Sequence, residues 1–153
     1  MAGQPDLRDP ATTAASVIAA LGLARHPEGG WYRETWRDQP ADGTRGAGTA
    51  ILFLLAAGEH AHWHRVDAAE LWLWHAGGPL VLTLSPDGHD AEAQLLGPDL
   101  SAHQLPQRLV PAGWWQTAET LGRWTLVSCT VCPAFRFEGF ELAPPDWRPA
   151  PRQ

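Results

Sequence analysis

One stretch, from His60 to Gly77, constrains the fold more than any other part of the chain: H-A-H-W-H-R-V-D-A-A-E-L-W-L-W-H-A-G. Two runs of alternating side chains flank a short turn, which is typical of two β-strands. On an ideal strand, His60, His62 and His64 share one face. Glu70 begins the second run, and hairpin pairing would bring its carboxylate onto the imidazole face. The stretch therefore predicts a β-protein with a site lined by histidine and glutamate.

The rest of the chain repeats this strand-length pattern. Segments of strand composition alternate with turns rich in glycine and proline, at about residues 31–37, 50–57, 79–84, 91–96, 107–110, 114–118, 123–131 and 135–142. A segment with the apolar spacing of a helix precedes them, with Thr12 or Thr13 as N-cap and Gly22 as C-cap. Its apolar residues are Ala14, Val17, Ile18 and Leu21. The pattern predicts an all-β sandwich or barrel with one short N-terminal helix.

Length and composition narrow the class of protein. We expect one domain over residues 12–143 of the 153, a flexible tail over 1–11 and a proline-rich extension over 144–153. The net charge of −6 argues against binding to nucleic acid. The absence of a long apolar segment or a signal-peptide pattern favours a cytoplasmic protein without membrane contact. Without lysine or a glycine-rich phosphate loop, we expect no Schiff-base chemistry and no nucleotide cofactor.

A metal site is the first chemical hypothesis. His62, His64 and Glu70 form a set of two imidazoles and a carboxylate, which many divalent ions accept. Gln116 follows a tight Pro-Gly turn and offers an amide as a fourth ligand. The residue types admit zinc, nickel, iron, manganese or copper.

Other residues are candidates for a ligand pocket. On a regular strand Tyr32 and Glu34 share a face, and we expect that face to line the pocket. Trp72 is expected to line it as well. Cys129 and Cys132 are expected to be buried structural thiols. The roles of His26, Glu28 and His75 stay open, with Glu28 interpreted as solvated and His75 as a supporting or structural residue.

The chain resembles the cupins, which are small jelly-roll barrels built as a double-stranded β-helix. Gly58, His62, His64, Glu70 and Gly77 resemble the first cupin motif, although its loop lengths differ. Pro111 and Gly113 match the second motif, where Gln116 replaces the usual histidine. The longer resemblance is to a cupin family of undetermined biochemical role, through four motifs in the same order: H-P-E-G-G-W-Y-R-E-T at 26–35, W-H-R at 63–65, V-P-A-G-W-W at 110–115 and C-T-V-C-P-A-F at 129–135.

This resemblance implies a fold and leaves three functions open. The first is a metal-assisted enzyme acting on a small polar or sugar-like metabolite inside the barrel. The second is a metal-free epimerase or isomerase in which His64 is the general base, Glu70 orients it and Tyr32 is the acid. The third is a binder of a small ligand without catalysis. We also expect a homodimer formed through the edge at Trp31–Arg37.

Overall fold

The computed structural model describes residues 3–153, so residues 1 and 2 of the predicted tail lie outside the described part of the chain. It contains one helix, twelve strands and two single-turn 3-10 helices at Leu100–Ala102 and Phe137–Gly139. The helix and strands are α1 Ala14–Leu21, β1 Ala24–Arg25, β2 Trp31–Arg37, β3 Thr49–Ala56, β4 His60–Val66, β5 Ala69–Gly77, β6 Leu80–Ser85, β7 Glu92–Leu96, β8 Gln104–Leu105, β9 Gln107–Val110, β10 Trp115–Thr120, β11 Trp124–Cys132 and β12 Phe140–Leu142.

The predicted helix is confirmed together with both of its caps. The Thr13 side chain accepts a hydrogen bond from the Ser16 backbone N–H, and Gly22 takes the left-handed conformation with φ of 65°. Val17 is fully buried against Leu54 and Leu126 of the sheet beneath it. The helix thus covers part of one sheet face and lies away from the interior of the sandwich.

The strands form two six-stranded sheets, which confirms the all-β prediction. The first sheet has the order β1-β2-β3-β11-β5-β9 and the second has the order β12-β4-β10-β6-β7-β8. The core between them is built from buried apolar side chains of both sheets, among them Phe53, Trp72, Leu82 and Val127. Within residues 3–153, no helix is long and apolar enough to cross a bilayer.

The predicted hairpin between β4 and β5 is wrong. β4 pairs with β10 and β12, whereas β5 pairs with β11 and β9 in the other sheet. The short connection at Asp67 and Ala68 is a corner where the chain passes from one sheet to the other. His64 and Glu70 therefore approach the same interior space from opposite sheets.

A β-bulge in β4 overturns the expected common face of His62 and His64. Gln116 of β10 pairs with His64, but Ala118 pairs with Ala61, so that the single residue between them faces two residues of β4. The extra residue reverses the alternation of inward and outward side chains along β4, because a bulge leaves one residue of the strand unpaired. Ala61 and His64 both point inward and are buried, while the His62 side chain points outward.

The outward side of the bulge holds the C-terminal segment, which we call the C-terminal strap (residues 144–152). The His62 Nε2 atom lies 2.8 Å from the Pro144 carbonyl oxygen. The Trp147 ring packs against Trp115 and Trp63, at centroid distances of 4.4 Å and 5.8 Å. The proline-rich extension therefore lies along the outer face of the second sheet.

Candidate functional site

A cavity of about 60 Å³ lies between the two sheets, next to the end of β4. Its walls divide into a polar side and an apolar side that is rich in phenylalanine. The polar lining is His26, Glu28, Tyr32, Glu34, Thr49, His64, Glu70 and Cys129, and the apolar lining is Ile51, Val66, Val131, Phe135, Phe137 and Phe140. Space of this size admits a few water molecules or one small polar group of a larger ligand.

The H-P-E-G-G segment places Glu28 in this cavity. The Glu28 carbonyl oxygen accepts a hydrogen bond of 2.7 Å from the His62 backbone N–H, which fixes the loop against the bulge. Gly29 has a φ of 109°, and a Cβ atom at this position would lie 2.2 Å from the His60 carbonyl oxygen. Only glycine permits this approach. The expectation that Glu28 is solvated is wrong, since the residue is 8% exposed.

Glu28 forms a buried ion pair with His64. The Oε2 atom of Glu28 lies 2.8 Å from the Nε2 atom of His64, and both side chains are at least nine-tenths buried. The other ring nitrogen of His64, Nδ1, lies 2.6 Å from the His62 carbonyl oxygen. Because a carbonyl oxygen can only accept, Nδ1 carries a proton, and the carboxylate favours a second proton at Nε2.

The two partners shift each other's protonation. Burial disfavours the charged form of His64, but the Glu28 carboxylate, together with Glu70 and the His62 carbonyl oxygen, outweighs burial and raises the pKa of His64 to about 9. Burial likewise opposes ionisation of Glu28, yet the His64 imidazolium lowers the pKa of that carboxyl. At neutral pH the pair is therefore an imidazolium bound to a carboxylate.

His26 has the opposite character. Its Nδ1 atom accepts a hydrogen bond of 3.1 Å from the Glu28 backbone N–H, so the neutral ring carries its proton on Nε2. Burial lowers the pKa of His26, which keeps the ring neutral. Among the described residues, the Nε2 atom makes no hydrogen bond, and the ring lines the cavity. His26 thus offers the cavity one neutral donor.

Glu70 is held by a chain of directed hydrogen bonds. The Trp72 indole N–H donates to the Gln116 Oε1 atom at 2.9 Å, and the Gln116 Nε2 atom donates to the Glu70 Oε1 atom at 2.7 Å. Because an indole can only donate, Trp72 determines which end of the amide faces Glu70. Trp72 and Gln116 lie behind the cavity wall and not on it, so their predicted direct contact with ligand is replaced by a role in positioning Glu70.

Burial also changes the acidity of Glu70. It raises the pKa of the Glu70 carboxyl to about 7, with the neighbouring Glu28 carboxylate acting in the same direction and His64 against it. Burial and the nearby carboxylates raise the pKa of the Cys129 thiol, which hydrogen-bonds Glu70 as a neutral group. Cys132, the other cysteine, is exposed, contrary to the expectation of two buried thiols.

Tyr32 and Glu34 both line the cavity, on the side where β2 approaches its mouth. The Tyr32 ring packs edge-on against His26 at a centroid distance of 4.5 Å. Both oxygens of Glu34 accept from Arg37, at 2.8 Å and 2.9 Å, so this carboxylate already has a cationic partner. The rings of Phe135, Phe137 and Phe140 pack against one another and close the opposite side.

The four residues predicted as metal ligands do not form an open ligand set. His62 points to the C-terminal strap, both His64 nitrogens already face oxygen atoms, and both ends of the Gln116 amide are engaged. In the part of the chain described, no group of three or more His, Cys, Asp or Glu side chains is arranged to hold a metal ion. The donors present therefore do not fit a divalent ion.

Sequence reasoning missed Glu28 and His26 as partners in the site. The available signal was the pair of adjacent glycines after Glu28, which indicates a close approach of the loop to other backbone. His75 lies outside the cavity, and its Nε2 atom is 2.5 Å from the Ser128 hydroxyl oxygen.

Comparison with known proteins identifies relatives of the whole domain. A family model described as "Cupin superfamily (DUF985)" matches residues 15–143. A crystal structure of a protein from Shewanella oneidensis is 38% identical, with a TM-score of 0.82 over 86% of this chain and 85% of that one. A hypothetical protein from Leishmania major is 32% identical, with a TM-score of 0.77 over 86% of this chain and 88% of that one.

More distant structures share only the fold. Oxalate decarboxylase from Bacillus subtilis is 13% identical, with a TM-score of 0.60 over 77% of this chain but only 29% of that one. No curated protein matches the chain at a significant level. The comparisons therefore confirm the predicted jelly-roll architecture.

Proposed function

We propose, from the premise that this chain belongs to the cupin superfamily (DUF985), that its cavity binds a small polar molecule and catalyses a proton transfer within it. An isomerase or epimerase carries out this kind of reaction. The observation that carries the proposal is the buried Glu70 carboxyl, which lines the cavity and is aimed by Gln116. Its pKa of about 7 suits a group that must both accept and release a proton near neutral pH.

His64 has a different role from the general base expected from the sequence. Its two ring nitrogens already face the Glu28 carboxylate and the His62 carbonyl oxygen. A ring in this position is a fixed positive charge next to Glu70, and it favours the ionised, proton-accepting form of that carboxylate. We therefore assign the acid-base step to Glu70 and a positioning role to the Glu28–His64 pair.

The donors on the polar wall complete the arrangement. Glu70 takes a proton from the carbon next to a carbonyl or imine group of the substrate, and the electron pair of the C–H bond forms a C=C bond. The π electrons of the C=O or C=N group then move onto its oxygen or nitrogen atom. The neutral Nε2–H of His26 and the Tyr32 hydroxyl line the cavity and can donate to that atom. As the electrons flow back from that atom, Glu70 delivers the proton to a different carbon of the substrate, which completes an isomerisation and restores the carboxylate.

Hydrogen–deuterium exchange into small probe compounds tests this proposal. The protein is incubated in D₂O with a set of small carbonyl and imine compounds, and mass spectrometry detects deuterium entering a C–H position. We expect exchange with at least one compound, and we expect Glu70→Gln to lower its rate by about a hundredfold or more. Glu92→Gln, an exposed carboxylate on β7, is the matched control and should leave the rate unchanged.

Two outcomes would contradict the proposal. Exchange that persists in Glu70→Gln would remove Glu70 from the reaction. Saturable binding of compounds without exchange would favour the non-catalytic binder instead.

A further inference from the structure

The charges around the cavity do not balance. Three carboxylates line it, from Glu28, Glu34 and Glu70. Glu28 is paired with the His64 imidazolium, and Glu34 is paired with the Arg37 guanidinium through two hydrogen bonds. The hydrogen-bond partners of Glu70 are the Gln116 amide and the Cys129 thiol, and both are neutral. Among the described residues, the buried Glu70 carboxylate is thus left without a bonded cation.

The His64 imidazolium is the nearby positive charge, but its two ring nitrogens face the Glu28 carboxylate and the His62 carbonyl oxygen, so it does not bond Glu70. Neither arginine nor lysine is among the residues that line the cavity in the described chain. A buried carboxylate is costly unless a positive charge or strong donors compensate it. A ligand that brings a positive charge would supply this compensation, whereas an anionic ligand would add a further negative charge to the same space.

The opposite wall suits the same kind of ligand. The Phe140 ring packs against the His64 and His26 rings, at centroid distances of 5.6 Å and 6.3 Å, while Phe137 is 57% exposed at the mouth. Phenyl faces attract cations and also cover an apolar body. The His26 ring lines the cavity, and its Nε2 atom has no hydrogen-bond partner in residues 3–153, so it can donate to a single acceptor atom of the ligand.

We propose that the ligand of this cavity carries a protonated nitrogen group, such as an ammonium or amidinium on a small apolar body, which pairs with the Glu70 carboxylate. This inference rests on the proposed function, since it assigns the substrate class of the same site. A protonated nitrogen would keep Glu70 ionised, which is the form that accepts a proton. It would also acidify a neighbouring C–H bond by drawing electrons from it.

Three probes of the same shape and different charge test this inference. Acetamidinium, acetamide and acetate each have four non-hydrogen atoms, and their charges are about +1, 0 and −1 at neutral pH. In an NMR titration of the ¹⁵N-labelled protein, we expect saturable shifts of cavity residues with acetamidinium at millimolar concentration. We expect binding of acetamide to be weaker by about tenfold and binding of acetate to be undetectable.

Two variants connect the selectivity to Glu70. Glu70→Gln should weaken acetamidinium binding by about tenfold and change acetamide binding by less than about twofold. Glu92→Gln should reproduce the wild-type order. Acetate binding as tightly as acetamidinium, or no saturable binding of acetamidinium to the wild type, would overturn the inference, whether or not Glu70→Gln folds. The deuterium-exchange assay reports separately on the proposed proton transfer, so the two ideas can fail independently.

Discussion

The Oε2 atom of Glu28 and the Nε2 atom of His64 lie 2.8 Å apart inside the protein, joining a loop before β2 to the middle of β4. The second oxygen of Glu28, Oε1, lies 3.8 Å from the His26 Nδ1 atom, which is beyond hydrogen-bond distance. His26 therefore does not replace His64 as the partner of this carboxylate. The pair is therefore a single unit, and removing one member leaves a buried charge.

His64→Gln should destabilise the fold by about 3–5 kcal/mol at pH 7, because it leaves the Glu28 carboxylate buried without a cation. Denaturant unfolding measures this free energy. Since the pKa of His64 rises from 6.5 to about 9 on folding, its contribution is complete below pH 6.5 and is lost as the pH rises through about 9. The cost of His64→Gln should therefore shrink in alkaline buffer.

A neighbouring ion pair on the same strand provides the control for this experiment. Arg65 pairs with Glu141 at the surface, and its side chain is 42% exposed. Arg65→Gln should cost less than about 1 kcal/mol. Combining Glu28→Gln with His64→Gln should cost clearly less than the sum of the single changes, and strict additivity would show that the two groups do not act as a pair.

Glu70→Gln should change the pH dependence of stability. The native Glu70 carboxyl holds its proton up to about pH 7, whereas the unfolded carboxyl ionises near its ordinary value of 4.5. A raised pKa stabilises the fold fully below pH 4.5, and this contribution is lost as the pH rises through about 7. The wild type should therefore lose up to about 3 kcal/mol relative to Glu70→Gln over this interval. Parallel stability curves for the two proteins would contradict the assignment.

Trp72→Phe should change the pKa of Glu70 through Gln116, which lies between the two residues in the chain of hydrogen bonds. The change removes the indole N–H that fixes the Gln116 amide, and a buried acceptor left without its donor costs about 1–3 kcal/mol. Once free to rotate, the amide can turn its oxygen toward Glu70, which raises the pKa of that carboxyl further. The midpoint of Glu70 titration, followed by ¹³C NMR of labelled glutamate, should therefore move upward. Trp63→Phe, on the outer side of the bulge, should leave the midpoint where it is.

The open edge of β2 supports the predicted homodimer. β1 pairs only with Trp31 and Tyr32, so the strand has a free edge from Arg33 onward, and Trp36 is 52% exposed beside it. We expect light scattering at micromolar concentration to give twice the mass of 16.7 kDa. Thr35→Pro, which places a residue without a backbone N–H in this edge strand, should shift the protein toward monomer. A wild-type protein of 16.7 kDa under the same conditions would exclude this dimer.

Local patterns predicted the strands but could not predict how they are distributed between sheets. Trp31–Arg37 and Gln107–Val110 have the predicted bounds, because alternation and turn composition are local properties. The connection at Asp67 and Ala68 is equally compatible with a hairpin or with a corner between sheets. The pairing of β5 with β11, a strand distant in the sequence, determines that this connection is a corner between sheets.

The site was predictable for residues whose environment follows from their own strand. Tyr32 and Glu34 line the cavity, as their shared face suggested. Glu28 was not predictable, because a lone carboxylate in a loop is ordinarily solvated and its burial depends on a histidine in another element. His62 was misplaced because the bulge depends on pairing with β10, and the strand's own composition contains no sign of it.

The bulge at His62 and Trp63 interrupts the alternation of inward and outward side chains along β4. A deep mutational scan across this strand should show intolerant positions at Ala61 and His64, which are spaced by three, and then return to a spacing of two at Val66. Deleting one of the two bulged residues would keep both inward positions but straighten the strand, and we expect it to disturb both the C-terminal strap and the Glu28 loop, which are held by the His62 side chain and the His62 backbone N–H. The extra residue therefore connects the two faces of one strand, since the His62 side chain holds the strap outside while its backbone holds Glu28 and His64 inside.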